Sequence, residues 1–318
     1  MPNRHYRYVP KVIDVIRNRP FTFEFPDDLD PNWATPHRVR SHLFNGISLT
    51  MPYLEPWMID TMRDADEHIT DPRLKADMRA FNGQEANHAK CHRRLNKLLQ
   101  KNGHPEFANV EEKLSKSFEK LRRRSLRTRL AYSAGFECMT NGFTRWLIHK
   151  RHCLFNGANA VMTSFWLMHM IEETEHKTVA FDAYMAYSGA YLPRAFGVFH
   201  GSFHILGYSV FGMLAALKRE GFLYTRRGLY EGVKEMASLI WNVGPFLLRA
   251  LLPWHNPRIE TDPEWMSEWV AGYARLPKGA PIPLVDTNDP NMPVPFPSYE
   301  TAEGNPPAER KEGKARTI

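Results

Sequence analysis

Two segments of the chain carry a glutamate and a histidine three residues apart. Glu85 and His88 lie in QEANHAKCH, and Glu173 and His176 lie in HMIEETEH. On a helix, residues three or four apart share a face, so each pair can present a carboxylate and an imidazole together. Mixed oxygen and nitrogen donors suit iron, manganese or zinc. The spacing therefore predicts a metal site built from two helices.

Two further glutamates stand alone among apolar residues, Glu137 in LAYSAGFECMTNGF and Glu55 in LTMPYLEPWMI. An ionised carboxylate in an apolar core is costly unless it is paired or binds a metal. One glutamate from each of two helices, with Glu-x-x-His from each of two others, is the donor set of ferritin-like dinuclear bundles. We therefore predict six ligands for two metal ions, with the four glutamates also acting in catalysis: Glu55, Glu85, His88, Glu137, Glu173 and His176.

Three neighbouring residues could extend this set. His92 and His169 share faces with the two motifs and could be extra ligands, although we favour them as hydrogen-bond partners that orient the glutamates. Glu172 lies four residues before His176 and could replace Glu173, but symmetry with Glu85 favours Glu173.

Long helices are predicted to position these residues. Asp71-Pro72 is a start signal and Asn102-Gly103 a stop signal for the second helix. Pro52 and Pro56 either kink the first helix or divide it, with Thr50 as a new N-cap. The predicted ranges of the four helices are 36–68, 71–103, 110–150 and 159–187.

We therefore expect an all-α fold, a ferritin-like four-helix bundle with additional C-terminal helices. Residues 1–35 would form an N-terminal arm, 36–190 the dinuclear bundle and 191–275 a helical extension packed on it. Residues 276–318 are rich in proline and polar residues, which is typical of a poorly ordered tail.

Composition limits the function classes. The chain has 318 residues, 43% hydrophobic, and a formal net charge of +7, which excludes fibrous and wholly disordered proteins. Three cysteines and no apolar run near Met1 favour the cytoplasm over secretion. The basic run 121–129 has no accompanying nucleic-acid motif, so no nucleic-acid partner is expected.

The segment 195–217 contains no charged residue and is about long enough to span a bilayer. Its two histidines and four glycines favour a core or interfacial helix instead. Basic residues on both sides, including Arg194 and Arg219, suit an anionic membrane surface. We therefore expect a cytoplasmic protein, and peripheral association with the inner face of the membrane is compatible with that location.

The motifs QEANHAKCHRRLN, AGFEC, EETEHKTVAFDAY and LLPWHNP resemble those of the bacterial predicted metal-dependent hydrolases, over about residues 30–265. The resemblance implies a ferritin-like fold and a dinuclear site at the six residues named above. It also implies hydrolysis by a metal-bridging water.

The residues themselves favour an O2-dependent oxidase or oxygenase with two iron ions, manganese or zinc being alternatives. This reaction suits an apolar interior and a small apolar or lipid-like substrate. A metal-dependent hydrolase and a non-enzymatic iron-binding protein are the alternatives, and a homodimer is compatible with each.

Overall fold

A computed structural model describes residues 6–9, 23–263, 266–275 and 282–292. Within these ranges the chain is helical and contains no β-strand, which confirms the all-α prediction. The ferritin-like arrangement stays an interpretation. The helices in chain order are α1 (Arg38–Asp66), α2 (Pro72–Lys101), α3 (Phe107–Arg122), α4 (Leu126–Phe155), α5 (Ala160–His176), α6 (Val179–Tyr187), α7 (Tyr191–Arg219), α8 (Arg226–Ala250) and α9 (Met266–Arg275).

Helix α1 continues through both of its prolines. Each proline leaves the carbonyl four residues earlier without its helical donor. The Ser48 carbonyl, freed by Pro52, accepts a hydrogen bond from Asn96 Nδ2 at 3.1 Å, and the Pro52 carbonyl, freed by Pro56, accepts one from an Arg93 guanidinium nitrogen at 3.3 Å. Both donors belong to α2. The neighbouring helix therefore supplies what the prolines removed, and no new N-cap at Thr50 is needed.

Helix α2 begins and ends as the sequence predicts. Asp71 accepts hydrogen bonds from the backbone nitrogens of Arg73 and Leu74, and Pro72 occupies the first helical position. Gly103 has a φ of 128°, a conformation that favours glycine and ends the helix.

The third and fourth predicted helices are each divided in two. A new helix starts after Ser125, whose hydroxyl accepts a hydrogen bond from the Thr128 backbone nitrogen, so the predicted range 110–150 becomes α3 and α4. The range 159–187 breaks between α5 and α6 at Lys177-Thr178, where the Lys177 ammonium binds the Glu260 carbonyl and the Asp262 carboxylate. No proline or glycine marks either break.

Helix α7 lies in a groove between α1 and α4 because small residues let the backbones approach closely. A Cβ added at Gly197 would lie 2.0 Å from the Ala131 carbonyl oxygen of α4, and one added at Gly46 of α1 would lie 2.1 Å from the Ser209 carbonyl oxygen. Helix α8 also packs on α4. These contacts place α7 and α8 beside the helices that carry the predicted metal ligands.

Residues 282–292, inside the proline-rich tail, also pack on the helices. The Val285 backbone nitrogen donates to Ser164 Oγ at 2.8 Å, and Arg151 Nε donates to the Met292 carbonyl at 2.7 Å. Val285 and Met292 are buried. The composition of the tail did not predict these contacts.

Candidate metal centre

Four helices bring the six predicted ligands to one buried region. Glu55 comes from α1, Glu85 and His88 from α2, Glu137 from α4, and Glu173 and His176 from α5. None of these side chains is more than 5% exposed. The two Glu-x-x-His motifs and the two lone glutamates are therefore part of one interior cluster.

The two motifs face each other. One donor atom from each of Glu85, His88, Glu173 and His176 lies within 4.8 Å of the others. His176 Nε2 is 3.2 Å from Glu85 Oε1, and His88 Nδ1 is 3.7 Å from Glu173 Oε1. This four-residue group has the size and donor types of a metal site.

A second group of donors adjoins the first and consists of Glu55, His92 and His169. His169 Nε2 lies 3.8 Å from Glu55 Oε1 and 2.8 Å from Glu173 Oε1. Glu173 therefore contacts both groups and could be shared between two ions.

The hydrogen bonds on the Nδ1 side of His169 determine which nitrogen of each ring carries the proton. Ser48 Oγ donates its proton to Asn96 Oδ1 at 2.6 Å, so it accepts from His92 Nδ1 at 2.8 Å. His92 Nε2 is then left to accept from His169 Nδ1 at 3.0 Å. His169 Nε2 therefore carries a lone pair that faces Glu173 and Glu55. His92 orients His169, and His169 can itself be a ligand.

Glu172 orients the imidazole ring of His88. Its Oε2 accepts a hydrogen bond from His88 Nε2 at 2.8 Å, which leaves the other nitrogen of His88 facing Glu173. A carboxylate that fixes the ring of a ligating histidine is common at metal centres. Glu137 lies beside the same region, with Oε2 3.9 Å from His176 Nδ1, although it belongs to neither compact donor group.

Sequence reasoning missed Ser48 and Asn96, which anchor His92. Asn96 lies one helical turn after His92 and on the same face, which was an available signal. Ser48 lies on another helix, and nothing in the sequence connects it to α2.

Burial and mutual repulsion shift the pKa values of the cluster. Burial, and then the neighbouring Glu173, raise the pKa values of Glu55 and Glu85 well above their usual range, and burial raises the pKa of Glu173 to about 8. Burial also lowers the pKa of His169 to about 3 and that of His88 well below its ordinary value. Without metal, burial therefore favours the protonated form of Glu55, Glu85 and Glu173 and the neutral form of His88 and His169.

These residues fit a pair of divalent cations. None of the described residues forms a hydrogen bond with a carboxylate oxygen of Glu55 or Glu85, although all four oxygens are buried and His176 Nε2 lies 3.2 Å from Glu85 Oε1. Buried carboxylates without donors are unfavourable unless a cation compensates them. Neutral imidazoles beside them supply nitrogen donors of the kind that iron, manganese and zinc accept.

A family model described as "Predicted metal-dependent hydrolase" matches residues 17–260. The chain belongs to the predicted metal-dependent hydrolase family. The resemblance inferred from the sequence motifs is thereby confirmed, and the chain is a metal-dependent enzyme by membership. No curated protein and no solved structure matches it.

An apolar cavity adjoins the cluster of this family member. It contains about 500 Å³ of space not filled by atoms, open solvent at its mouth included. Glu173 and His169 form its polar end, and the remaining wall is mainly apolar. The other helices contribute, for example, Met51, Phe136, Met139 and Leu239. An apolar molecule in this cavity would lie directly against the candidate ligands.

Cys138 follows Glu137 but has a different environment. Burial raises the pKa of its thiol to about 12, and its Sγ lies 3.7 Å from His255 Nε2. It packs with Val198 and Ala250. A protonated, buried thiol is a poor nucleophile, so the hydrolase family label is not explained by cysteine catalysis here.

A separate histidine cluster joins the start of α1 to the end of α7. His42 Nε2 lies 3.1 Å and His104 Nε2 3.6 Å from Glu220 Oε1. Asn45 accepts from Trp33 through its oxygen, so its amide nitrogen faces His42 Nδ1 at 3.3 Å. The proton of His42 is therefore on Nε2 and points at Glu220. With its proton on Nε2, His42 has no lone pair facing Glu220 for a metal ion, so this group brings imidazoles and a carboxylate together without forming a metal site.

Proposed function

We propose that the chain is a metal-dependent hydrolase that binds two metal ions at the buried cluster. The observation that carries this proposal is the set of buried Glu55 and Glu85 carboxylates, which have imidazoles beside them and accept no hydrogen bond from the described residues. Glu85, His88, Glu173 and His176 would hold one ion. Glu55 and His169 would hold the other with Glu173 shared, and Glu137 would contribute from α4. The carboxylate-rich donors favour iron, with manganese or zinc as alternatives.

The residues of the chain prepare this site in two ways. Glu172 and the Ser48–His92 pair fix the rings of His88 and His169, so little reorganisation is needed on loading. The apolar walls limit the entry of bulk water. When bound, a divalent metal pair supplies a water of lowered pKa and polarises a carbonyl or phosphoryl oxygen.

The cavity supports an apolar substrate. Its wall offers few groups that could bind a charged or strongly polar molecule, apart from the Glu173 and His169 end. We propose an ester or amide with an apolar group, since the scissile bond would lie at that polar end while hydrocarbon contacts Met51, Phe136 and Met139.

A second candidate function is an O2-dependent oxidase or oxygenase. The specific observation in its favour is that a methionine- and phenylalanine-lined cavity directly adjoins a site rich in carboxylates. Family membership favours hydrolysis over this alternative.

Metal loading followed by an assay of both reactions tests the proposal. Metal-free protein would be reloaded with Fe²⁺ under anaerobic conditions, or with Mn²⁺ or Zn²⁺, and tested against p-nitrophenyl esters of increasing acyl length. We expect two ions per chain and a rate that rises with acyl length. Glu85→Gln should bind fewer ions and lose at least tenfold in rate. Glu112→Gln, which changes an exposed carboxylate that pairs with Lys116 on α3, should keep both.

Two results would overturn the proposal. Failure of the reloaded protein to retain any ion would refute the metal site itself. Retention of two Fe²⁺ ions with O2 consumption near their stoichiometry, an accompanying optical band and no ester hydrolysis would replace the hydrolase with the oxidase.

A further inference from the structure

The exposed large apolar side chains of the described residues are concentrated on α7, α8 and the turns beside them. Sixteen of the nineteen lie between residues 191 and 254. Trp241 is 82% exposed, Phe196 62% and Phe203 61%. An apolar surface of this extent on one part of a protein marks an interaction site. We refer to it as the α7–α8 face.

On α7 these residues form one stripe. Leu192, Phe196, Phe199 and Phe203 follow one another at intervals of four, three and four residues, so they share one side of the helix. The opposite side is fixed against α1 and α4, where Gly197 and Gly201 contact α4 backbone at distances that leave no room for a Cβ. The stripe therefore cannot turn inward.

Within the described residues, α7 is the one helix long and apolar enough to cross a membrane, by length and composition. Its close backbone contacts with two bundle helices would have to separate for it to do so. An orientation parallel to a membrane, with only the stripe immersed, preserves those contacts.

The charges around the α7–α8 face are positive. Glu220, Glu231 and Glu235 are the acidic residues between 191 and 250, and each is engaged with a cationic or histidine side chain. Arg219, Arg227 and Arg249 of the same range each form an ion pair with a carboxylate. The exposed cations between 191 and 250 that form no such pair within the described residues are Lys218, Arg226 and Lys234. The surface thus combines exposed aromatic side chains with uncompensated positive charge.

We infer that the α7–α8 face docks on an anionic lipid bilayer. The exposed aromatic side chains, once immersed in the bilayer, would supply the apolar contribution, and Lys218, Arg226 and Lys234 would face lipid phosphates. A second copy of the chain would bring the same cations against each other, so charge disfavours it as the occupant. This inference concerns a surface and does not depend on the metal centre.

The cavity lies directly inside the two helices that would dock. Ile205 and Ser209 of α7 and Val243 of α8 line it from the inside, while the outer sides of the same helices form the α7–α8 face. Leu206 lines the cavity and is itself partly exposed. Docking therefore brings the cavity wall to the lipid, the phase in which apolar substrates dissolve.

Co-sedimentation of the full chain with vesicles tests the inference. Vesicles of phosphatidylcholine alone would be compared with vesicles of equal parts phosphatidylglycerol and phosphatidylcholine, at low and high salt. We expect binding to the anionic vesicles that weakens as salt rises. The double variant Phe203→Glu/Trp241→Glu should bind at least tenfold more weakly. Leu284→Glu, an exposed apolar residue on the segment that packs on α5, should bind like the wild type.

Circular dichroism would establish that the variants are folded, and metal content would be measured in parallel. Loss of vesicle binding with metal retained isolates the surface from the proposed function, because neither Phe203 nor Trp241 lines the cavity or the site. Absence of binding by the wild type, or binding that ignores both salt and the double variant, would overturn the inference. So would a wild-type dimer that Phe203→Glu/Trp241→Glu dissociates without any vesicle binding.

Discussion

Glu173 connects the parts of the candidate site. It contacts His88 and His176 on one side and His169 on the other, at distances from 2.8 to 3.8 Å. Glu172 accepts a hydrogen bond from His88, and His92 accepts one from His169. These two hydrogen bonds leave the other nitrogen of each of these two rings facing the Glu173 carboxylate. Since burial raises its pKa to about 8, the metal-free protein carries a proton there at neutral pH.

Metal binding should therefore release protons at pH 7. The pKa of Glu173 is raised, as are those of Glu55 and Glu85, so cations displace protons from carboxylates, whereas the neutral imidazoles have none to lose. Apparent Mn²⁺ affinity should fall as pH decreases below about 8, by roughly tenfold per pH unit for each proton displaced. Calorimetry in buffers of different ionisation enthalpy measures the release. Glu173→Gln should release fewer protons, and a wild type that releases none would contradict the prediction.

At the scale of elements, side chains of one helix compensate for irregularities in the neighbouring helix. Asn96 and Arg93 of α2 accommodate two prolines of α1, and Asn96 also accepts from Ser48, which anchors His92. The same α1–α2 contact thus keeps α1 continuous and orients the donors. The contact of α7 with α1 and α4 depends instead on the absence of side chains at glycines.

A Cβ at Gly197 should therefore destabilise the fold. Gly197→Ala forces α7 away from the Ala131 carbonyl, and overpacking of this kind costs about 1–3 kcal/mol. Gly207→Ala is the matched control on the same helix, because no neighbouring atom lies within 4 Å of its added Cβ. It should raise the free energy of unfolding by about 0.5–1 kcal/mol through helix propensity. Urea unfolding compares the two, and equal effects would show that the close approach does not stabilise the bundle.

At the scale of the molecule, three features follow one another from the interior to the surface. They are the helices that carry the candidate ligands, the apolar cavity and the α7–α8 face. Helices α7 and α8 line the cavity on one side and form the exposed face on the other. The segment 282–292 lies against α4 and α5 and offers no donor to the cluster, so its contribution should be to stability alone.

A chain that ends at Arg275 should therefore keep its metals and lose stability. Removal of the buried Val285 and Met292 side chains should lower the free energy of unfolding by about 2–4 kcal/mol. A chain that ends at Met292 keeps both buried side chains and is the control, so it should be more stable than the shorter chain by this amount. Denaturant unfolding and metal analysis would be made on both. Metal loss from the shorter chain while it remains folded would show that the segment has a role at the site.

Much of this organisation follows from the sequence because it depends on local spacing. The Glu-x-x-His motifs, the lone Glu55 and Glu137 in apolar surroundings and the capped ends of α2 each depend on residues within a few turns of one helix. The all-α fold and the family were predictable for the same reason. The six expected ligands do lie in one region, although Glu137 is more distant from the compact groups than the others.

Only the tertiary structure decided which neighbour supports which. Glu172 and Glu173 are adjacent and about 100° apart on α5, so their roles depend on where α2 places His88. Continuity of α1 through Pro52 and Pro56 depends on donors from α2, and the position of Ser48 behind His92 depends on the same packing. The exposed side of α8 was not evident either, since an amphipathic pattern does not state whether its apolar side meets another helix or solvent. These are contacts between segments distant in the chain, which local spacing does not specify.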